Sequence, residues 1–438
     1  METCSDPFHR VKMPLIRIFP SRFKQDKDTS ILEASASDFQ SLSFPNISEV
    51  FWNKIEATGW KPETRQQATL TAVANKLVLI GGVSRSINSD VNYFFPAYKK
   101  WEKVQTAGVE AEPRFGHSTV EYKKKVYVFG GGTDFNSIHK LRECLNGVKC
   151  LNVENKEWQT VRCEGSFIGS RKHHCAAVVG KHMFVNGGFN QKNNLLDDSA
   201  VLNLEKTKWK HLHIKGHGPG LIGFHTAAVV LDSGHKPVTS IYHLLHIHNS
   251  SVKYPGIYIF GGITQTRQAS NELYLLNIGT RPLTWSKPET QGAPPSPRFQ
   301  HSMVFNEKLN VIVIFGGRAD ANNSTQYTCF NDLYILKMDN LLWTTVRVLG
   351  HVPVPRSGHC TASIGSKIYL FAGVSTNTYC NGDLFMLELN PKVARHMIED
   401  EEKRKAREIE IEMLKARKAG LSQENKVLSL DLDEEQFM

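Results

Sequence analysis

An apolar run that ends in two glycines recurs along this chain, and it constrains the fold more than any other feature. The copies are KLVLIGG (76–82), KVYVFGG (125–131), KHMFVNGG (181–188), GIYIFGG (256–262) and VIVIFGG (311–317). A sixth, KIYLFAG (367–373), has Ala372 where the first glycine would stand. A variable loop follows each doublet. Then comes a second apolar run, such as AVLNL (200–204), ELYLLNI (272–278) or DLYILKM (332–338), and then Trp101, Trp158, Trp209, Trp285 or Trp343. β-Branched and aromatic runs of this length read as strands. Paired glycines allow positive φ and close packing. A recurring tryptophan gives each unit a large apolar face that it cannot bury alone, so the units must stack. A radial stack leaves only short, protected sheet edges.

A second series precedes the doublets: PRFGH (113–117), SRKHH (170–174), PRFQH (297–301) and PRSGH (355–359), which share Arg-x-x-His. The first unit, TRQQA (64–68), keeps Arg65 but has Ala68 for His. The fourth, LIGFH (221–225), keeps His225 but has Ile222 for Arg. The sixth unit runs through DLFMLEL (383–389) to Asn390-Pro391 with no tryptophan after it. The missing piece stands at the front. FWNKIEATGWKPETR (51–65) matches the tail of a unit, as in KWEKVQTAGVEAEPR (100–114), and Trp52 takes the tryptophan place. Residues near 51–56 are therefore expected to supply the outermost strand of the last unit and lock the ring.

Six units in register, with an apolar run, a double glycine and a spaced tryptophan, resemble the kelch repeat family over 50–390. The resemblance implies an all-β, six-bladed kelch-type β-propeller of four-stranded blades, with loops on two faces that bind partners. In kelch proteins that bind peptides, arginines at the Arg-x-x-His place line the mouth of the ring. By that resemblance Arg65, Arg114, Arg171, Arg298 and Arg356 are the candidate partner-binding residues, since guanidinium forks suit carboxylates. The competing reading is that they brace neighbouring blades or satisfy loop carbonyls. His117, His174, His225, His301 and His359 read as structural.

Charge sharpens the partner expectation. Residues 50–390 hold 37 Lys and Arg against 24 Asp and Glu, whereas both flanks are slightly acidic. A basic propeller favours partners with acidic protein surfaces. No basic stripe, RNA-binding signature or zinc finger argues for nucleic acid. No run approaches the roughly 18 apolar residues of a membrane span, and the N-terminus carries no secretory pattern. The eight cysteines include no CxxC pair. These features read as a cytoplasmic protein, and an acidic filament makes cytoskeletal or ciliary association one form of the expectation.

No chemistry is expected. The sequence has no Gly-x-Ser-x-Gly, phosphate loop or HExxH. Kelch enzymes that use copper or iron have ligand constellations that do not map onto this chain. The densest histidines, His243, His246 and His248, lack a nearby Cys or carboxylate. No cofactor or metal is assigned. The function reads as a non-enzymatic protein-interaction scaffold; the alternatives are a substrate receptor of a ubiquitin ligase and, behind it, a metal-dependent kelch enzyme.

Four segments follow: a mostly irregular N-terminal extension (1–49), the propeller (50–390), a charged helix (391–420) and an acidic tail (421–438). Asn390 suits the helix cap, Pro391 its first turn and Gly420 its end. Glu399–Lys403, Asp400–Arg404 and Glu401–Lys405 are i,i+4 pairs. Tryptophan spacings of 49, 57, 51, 76 and 58 place an insertion at 232–255, a candidate binding loop.

Overall fold

The computed structural model describes residues 47–434 apart from 137–140, 232–254, 321–326 and 377–380. Most of the N-terminal extension, nearly all of the 232–255 insertion and the end of the tail therefore lie outside the described residues.

The fold is an all-β six-bladed propeller with one C-terminal helix. In blade 1 the strands run outward from the axis as Thr69–Val73, Lys76–Ile80, Val91–Phe95 and Lys100–Lys103. The other blades repeat this antiparallel order. The first strands of successive blades adjoin one another around the axis, and the sixth adjoins the first. Each tryptophan lies on the outermost strand and packs back toward the preceding blade. Trp101 meets Phe371 at 5.2 Å between ring centroids, Trp209 meets Phe129 at 5.0 Å, and Trp343 meets Phe260 at 5.6 Å.

Ring closure follows the expectation from the sequence. Glu49–Lys54 pairs antiparallel with Leu384–Glu388 and forms the outer strand of blade 6. Trp52 then bridges blades, 5.1 Å from Phe315 and 6.2 Å from Phe385. The segment leaving each outer strand also pairs in parallel with the outer strand of the next blade. Thr58–Gly59 does so on Lys100–Lys103, and Arg347–Gly350 on the closing strand.

Around the axis, one residue of each Arg-x-x-His segment takes left-handed φ: Gln67, Gly116, His173, Phe224, Gln300 and Gly358, at 55° to 63°. Each donates its backbone N–H to the carbonyl of its counterpart in the preceding blade. The six bonds, 2.7–3.1 Å long, close on themselves, because Gln67 donates to Gly358. Four of the six residues are not glycine, so each carries about 1–2 kcal/mol of conformational cost that the ring must offset.

A second circle lies one residue further on. His117 Nε2 bonds Thr69 Oγ1 at 2.9 Å, His174 bonds Ser118 at 2.8 Å, His301 bonds Thr226 at 2.7 Å, and His359 bonds Ser302 at 3.0 Å. Each bond ties a blade to its predecessor. Two junctions lack it. Between blades 3 and 4, Cys175 stands in the hydroxyl place, and His225 makes no side-chain hydrogen bond to blade 3. Between blades 6 and 1, Cys360 faces Ala68.

The departures from the repeat are thus coupled. A Cβ on Gly81 would lie 2.7 Å from the Arg114 carbonyl and 2.9 Å from His117 Cε1. Ala372, at φ 66°, occupies the same place in blade 6, where Ala68 has removed the imidazole it would strike.

The helix spans Pro391–Glu434. Asn390 caps it: its Oδ1 accepts from Lys392 N at 3.1 Å, and its carbonyl from Ala394 N at 2.8 Å. Ala394 is buried and Met397 packs against the blade 6–blade 1 core, so the first turns dock on the ring. The helix passes through Gly420, where an end was expected. One interior glycine costs about 1 kcal/mol, and Leu421, Gln423 and Glu424 after it are good helix formers. Of the expected pairs, Glu401–Lys405 forms at 3.7 Å; Arg404 turns instead to Glu401 and Glu408.

Cys175→Ser should restore the missing inter-blade bond to His225. The expected gain is about 0.5–1.5 kcal/mol in unfolding free energy, read as a higher denaturation midpoint at unchanged slope.

Candidate functional site

The Arg-x-x-His segments and the Gly-doublet loops share one face, as strand direction requires: the first strand leaves that face and the second returns to it. The five repeat arginines lie inside this face rather than on it. Arg65, Arg114, Arg171, Arg298 and Arg356 are each 0–1% exposed. Their guanidinium groups are committed within their own blades. Arg65 grips Asp90 with both terminal nitrogens (2.6 and 2.9 Å), Arg171 grips Asp198 (2.9 and 2.7 Å), Arg298 grips Asp332 (2.6 and 2.8 Å), and Arg356 grips Asp383 (2.7 and 3.1 Å). Arg114 has no such aspartate and pairs with Glu112. Each also donates to the carbonyl at the first doublet position, at 3.0–3.1 Å. The geometry is that of the bracing reading: the place expected to present five forks to a partner holds them under the surface.

The backbone at this position does a second job. The Arg114 carbonyl accepts from Gly82 N of the preceding blade at 2.9 Å, and its counterparts do the same around the ring. Ile222 keeps that bond at 2.8 Å, which is why the missing arginine of blade 4 leaves the junction intact.

The partner aspartates had a signal in the sequence. Asp90, Asp198, Asp332 and Asp383 each stand immediately before the third strand. The blade without this aspartate has Gly147 there, and Glu112 compensates. The blade without the arginine has Glu272, which turns to Lys287 at 2.9 Å.

With the repeat arginines withdrawn, an aromatic cluster of part-exposed and buried rings lies at the mouth. His173 stacks on Phe224 with centroids 4.0 Å apart, and Phe189 and Phe299 lie 5.2 and 5.8 Å from Phe224. Phe115 adds a further ring 5.8 Å from His173. Burial, and the charge of neighbouring Lys172, push the His173 pKa down to about 3, so it is neutral. Over these rings lie two guanidinium groups. Arg318 Cζ sits 4.8 Å from the Phe299 centroid and 4.5 Å from that of Tyr327. Arg267 lies 5.7 Å from Phe189 and is exposed. Sequence reasoning missed both arginines because neither recurs.

Deeper along the axis, Thr69, Ser118, Cys175, Thr226, Ser302 and Cys360 line a channel cavity of about 250 Å³. Burial, with the charge of the adjacent repeat arginine, pushes His117 and His359 down to about 3, so these imidazoles are neutral donors or acceptors. Among the described residues, no three His, Cys, Asp or Glu side chains converge as a metal set would. His243, His246 and His248 lie outside the described residues.

Two outcomes follow from the buried pairs. Asp332→Ala removes the carboxylate from buried Arg298, which keeps its bonds to Ser296 and Gly316, and should lower unfolding free energy by about 1–3 kcal/mol in chemical denaturation. For Asp90, burial alone would raise the carboxyl pKa; hydrogen bonds and charge from Arg65, with Asn92 and Lys103, outweigh it and hold it below its ordinary 3.8. Its contribution is therefore whole above the unfolded value and is lost as pH falls through the folded one. Asp90→Asn should make the acid-side fall of stability shallower, measured by denaturant titration across that range.

Known proteins place this architecture. A family model described as the KLHDC2/KLHL20/DRC7 Kelch-repeats domain matches residues 32–235 and 247–416. The chain is similar to host cell factor homolog hcf-1 of Caenorhabditis elegans, 25% identical over 309 residues, covering 67% of this chain and 35% of that protein. It is similar to the leucine-zipper-like transcriptional regulator 1 homolog of Drosophila melanogaster, 25% identical over 352 residues (77% and 32%). It is also similar to acyl-CoA-binding domain-containing protein 5 of Arabidopsis thaliana, 25% identical over 401 residues (80% and 58%). The chain thus spans about a third of the first two relatives and 58% of the third. The solved structure of YjhT shares the fold, with a TM-score of 0.55 at 13% identity, over 73% of this chain and 93% of that one. With the repeat, the blade geometry and the family model in agreement, the chain belongs to the KLHDC2/KLHL20/DRC7 Kelch-repeats domain family.

Proposed function

We propose that this propeller is a non-enzymatic protein-interaction module that takes an acidic segment of a partner at the axial mouth. The observation that carries it is the pair Arg318 and Arg267, laid over Phe299, Tyr327 and Phe189 at the opening. A guanidinium on an aromatic face can present its edge donors to a carboxylate, and the stack fixes its plane; Arg267 spends one of them on the Asn193 carbonyl at 3.2 Å, which further holds it in place. Half-buried Tyr327 and Phe224 supply apolar area beside the charge, the combination that anchors peptide side chains, while Phe189 and Phe299 are buried beneath. The excess of basic residues in 50–390 supports the same polarity of partner through long-range attraction.

In this reading the five repeat arginines act by position: they hold the doublet turns that carry the mouth. A cytoplasmic, acidic filament protein is one form of such a partner. The helix, exposed on all sides from Glu402 to Lys415, offers a second contact surface away from the mouth. A ubiquitin-ligase receptor would use the same mouth for its substrate, and no particular observation favours it over a scaffold.

The test is affinity purification of the full chain and of an Arg267→Ala, Arg318→Ala variant. A co-purifying partner should be lost at raised salt and weakened about tenfold in the variant, with no change in melting temperature. A partner retained equally by both proteins would remove the mouth from the account.

A further inference from the structure

Blade 3 carries a feature the repeat does not explain. A groove of about 510 Å³ lies on its outer part, lined among the described residues by blade 3 and the segment leading into it: Gly165, Ser166, His182, Val201, Asn203, Lys206, Lys208, Trp209 and Lys210. Strand alternation sets its lining. The Trp209 indole packs toward blade 2, against Phe129, so Lys208 and Lys210 point the other way, toward blade 4. Across the sheet Lys208 stands opposite Asn203, which stands opposite His182; Lys210 stands opposite Val201. Val201, buried in the core shared with blade 4, thus closes the inner end of this face, and the lysines line its outer part.

Blade 4, the neighbour on this side, is short at its outer edge. Its outermost strand is only Thr284–Ser286, three residues long, and Trp285 is half-buried where Trp52, Trp101, Trp158, Trp209 and Trp343 are buried. This is also the junction where Cys175 and His225 make no inter-blade hydrogen bond.

Two independent observations give the groove a polarity. Phe167, next to Ser166, is 79% exposed, a large apolar side chain held out at the rim while its carbonyl accepts from His211 Nε2 at 3.1 Å. Lys206, Lys208 and Lys210 have no ion-pair partner among the described residues. Glu205, their nearest acidic neighbour in sequence, is occupied by Tyr122, Lys123 and Lys181 at 2.7–3.0 Å.

We propose that this groove is a second docking site, separate from the mouth, for an acidic peptide segment that inserts one bulky apolar side chain. The apolar side chain lies against Phe167 and the aliphatic stems of the lysines, and flanking carboxylates meet Lys206, Lys208 and Lys210. An apolar anchor within a charged rim is how small interfaces concentrate affinity. The lysines are spread along one edge as flexible point charges, which suits a run of carboxylates rather than one fixed bidentate group. The site does not depend on Arg267 or Arg318.

The experiment uses the full chain and a short glutamate-rich peptide with one phenylalanine, titrated by fluorescence anisotropy. Binding should weaken about tenfold in Lys208→Glu, Lys210→Glu and in Phe167→Ala, and equally when alanine replaces the peptide phenylalanine. It should persist in Arg267→Ala, Arg318→Ala, and all variants should melt as the unaltered protein does. No binding, or binding indifferent to the lysine and Phe167 changes, overturns the proposal. Loss only in the Arg267, Arg318 variant also overturns it, since the peptide then sits at the mouth. So does binding that emerges only when 232–254 is deleted, or a single-stranded oligonucleotide that binds more tightly than the peptide.

Discussion

Six backbone hydrogen bonds in a closed circle hold this propeller at its axis. Each needs a residue in left-handed conformation, and each joins one blade to the next through Gln67, Gly116, His173, Phe224, Gln300 and Gly358. A circle of this kind cannot form piecemeal, because the last bond requires all six blades at the correct angle. The doublet turns, the buried arginines and the imidazole bonds are arranged around it. The second glycine of each doublet donates to the carbonyl at the arginine position of the next blade, and that blade's arginine holds its own doublet. The circle thus makes the repeat interdependent: a change in one segment is felt in two blades.

That interdependence explains where the repeat departs from itself. Ala68, Cys360 and Ala372 look unrelated in the sequence, yet they meet at the junction of blades 6 and 1. Cys175 removes the hydroxyl from the junction of blades 3 and 4. In a six-bladed ring these two junctions are opposite. The imidazole–hydroxyl bonds therefore tie blades 1–3 together and blades 4–6 together, and the halves are joined by the backbone circle, core packing and the Arg267 bond to the Asn193 carbonyl. One outer groove lies at the junction of blades 6 and 1, beside Trp101 and Leu384.

The buried arginines show how a motif can be read correctly and placed wrongly. Their spacing gave the repeat, and a guanidinium fork does seek a carboxylate. The carboxylate it finds is Asp90, Asp198, Asp332 or Asp383 of its own blade, at the start of the third strand. Burying a charge demands such a partner, and a position repeated in five blades serves what the blades share. What differs between blades, Arg318, Arg267, Phe167 and the lysines of 206–210, is left to the surface.

The sequence by itself determined the architecture: apolar runs, doublets and tryptophans at one spacing can bury their faces only as a ring, and the orphan Trp52 had to complete its last blade. It also determined the helix start, since Asn390 and Pro391 act locally. It did not determine the helix end, because one glycine is a small penalty against favourable neighbours. Only the tertiary structure decided which charges face solvent. Burial is set by the meeting of strands far apart in sequence, and an arginine reads the same in one dimension whether its aspartate waits 25 residues away or a partner does.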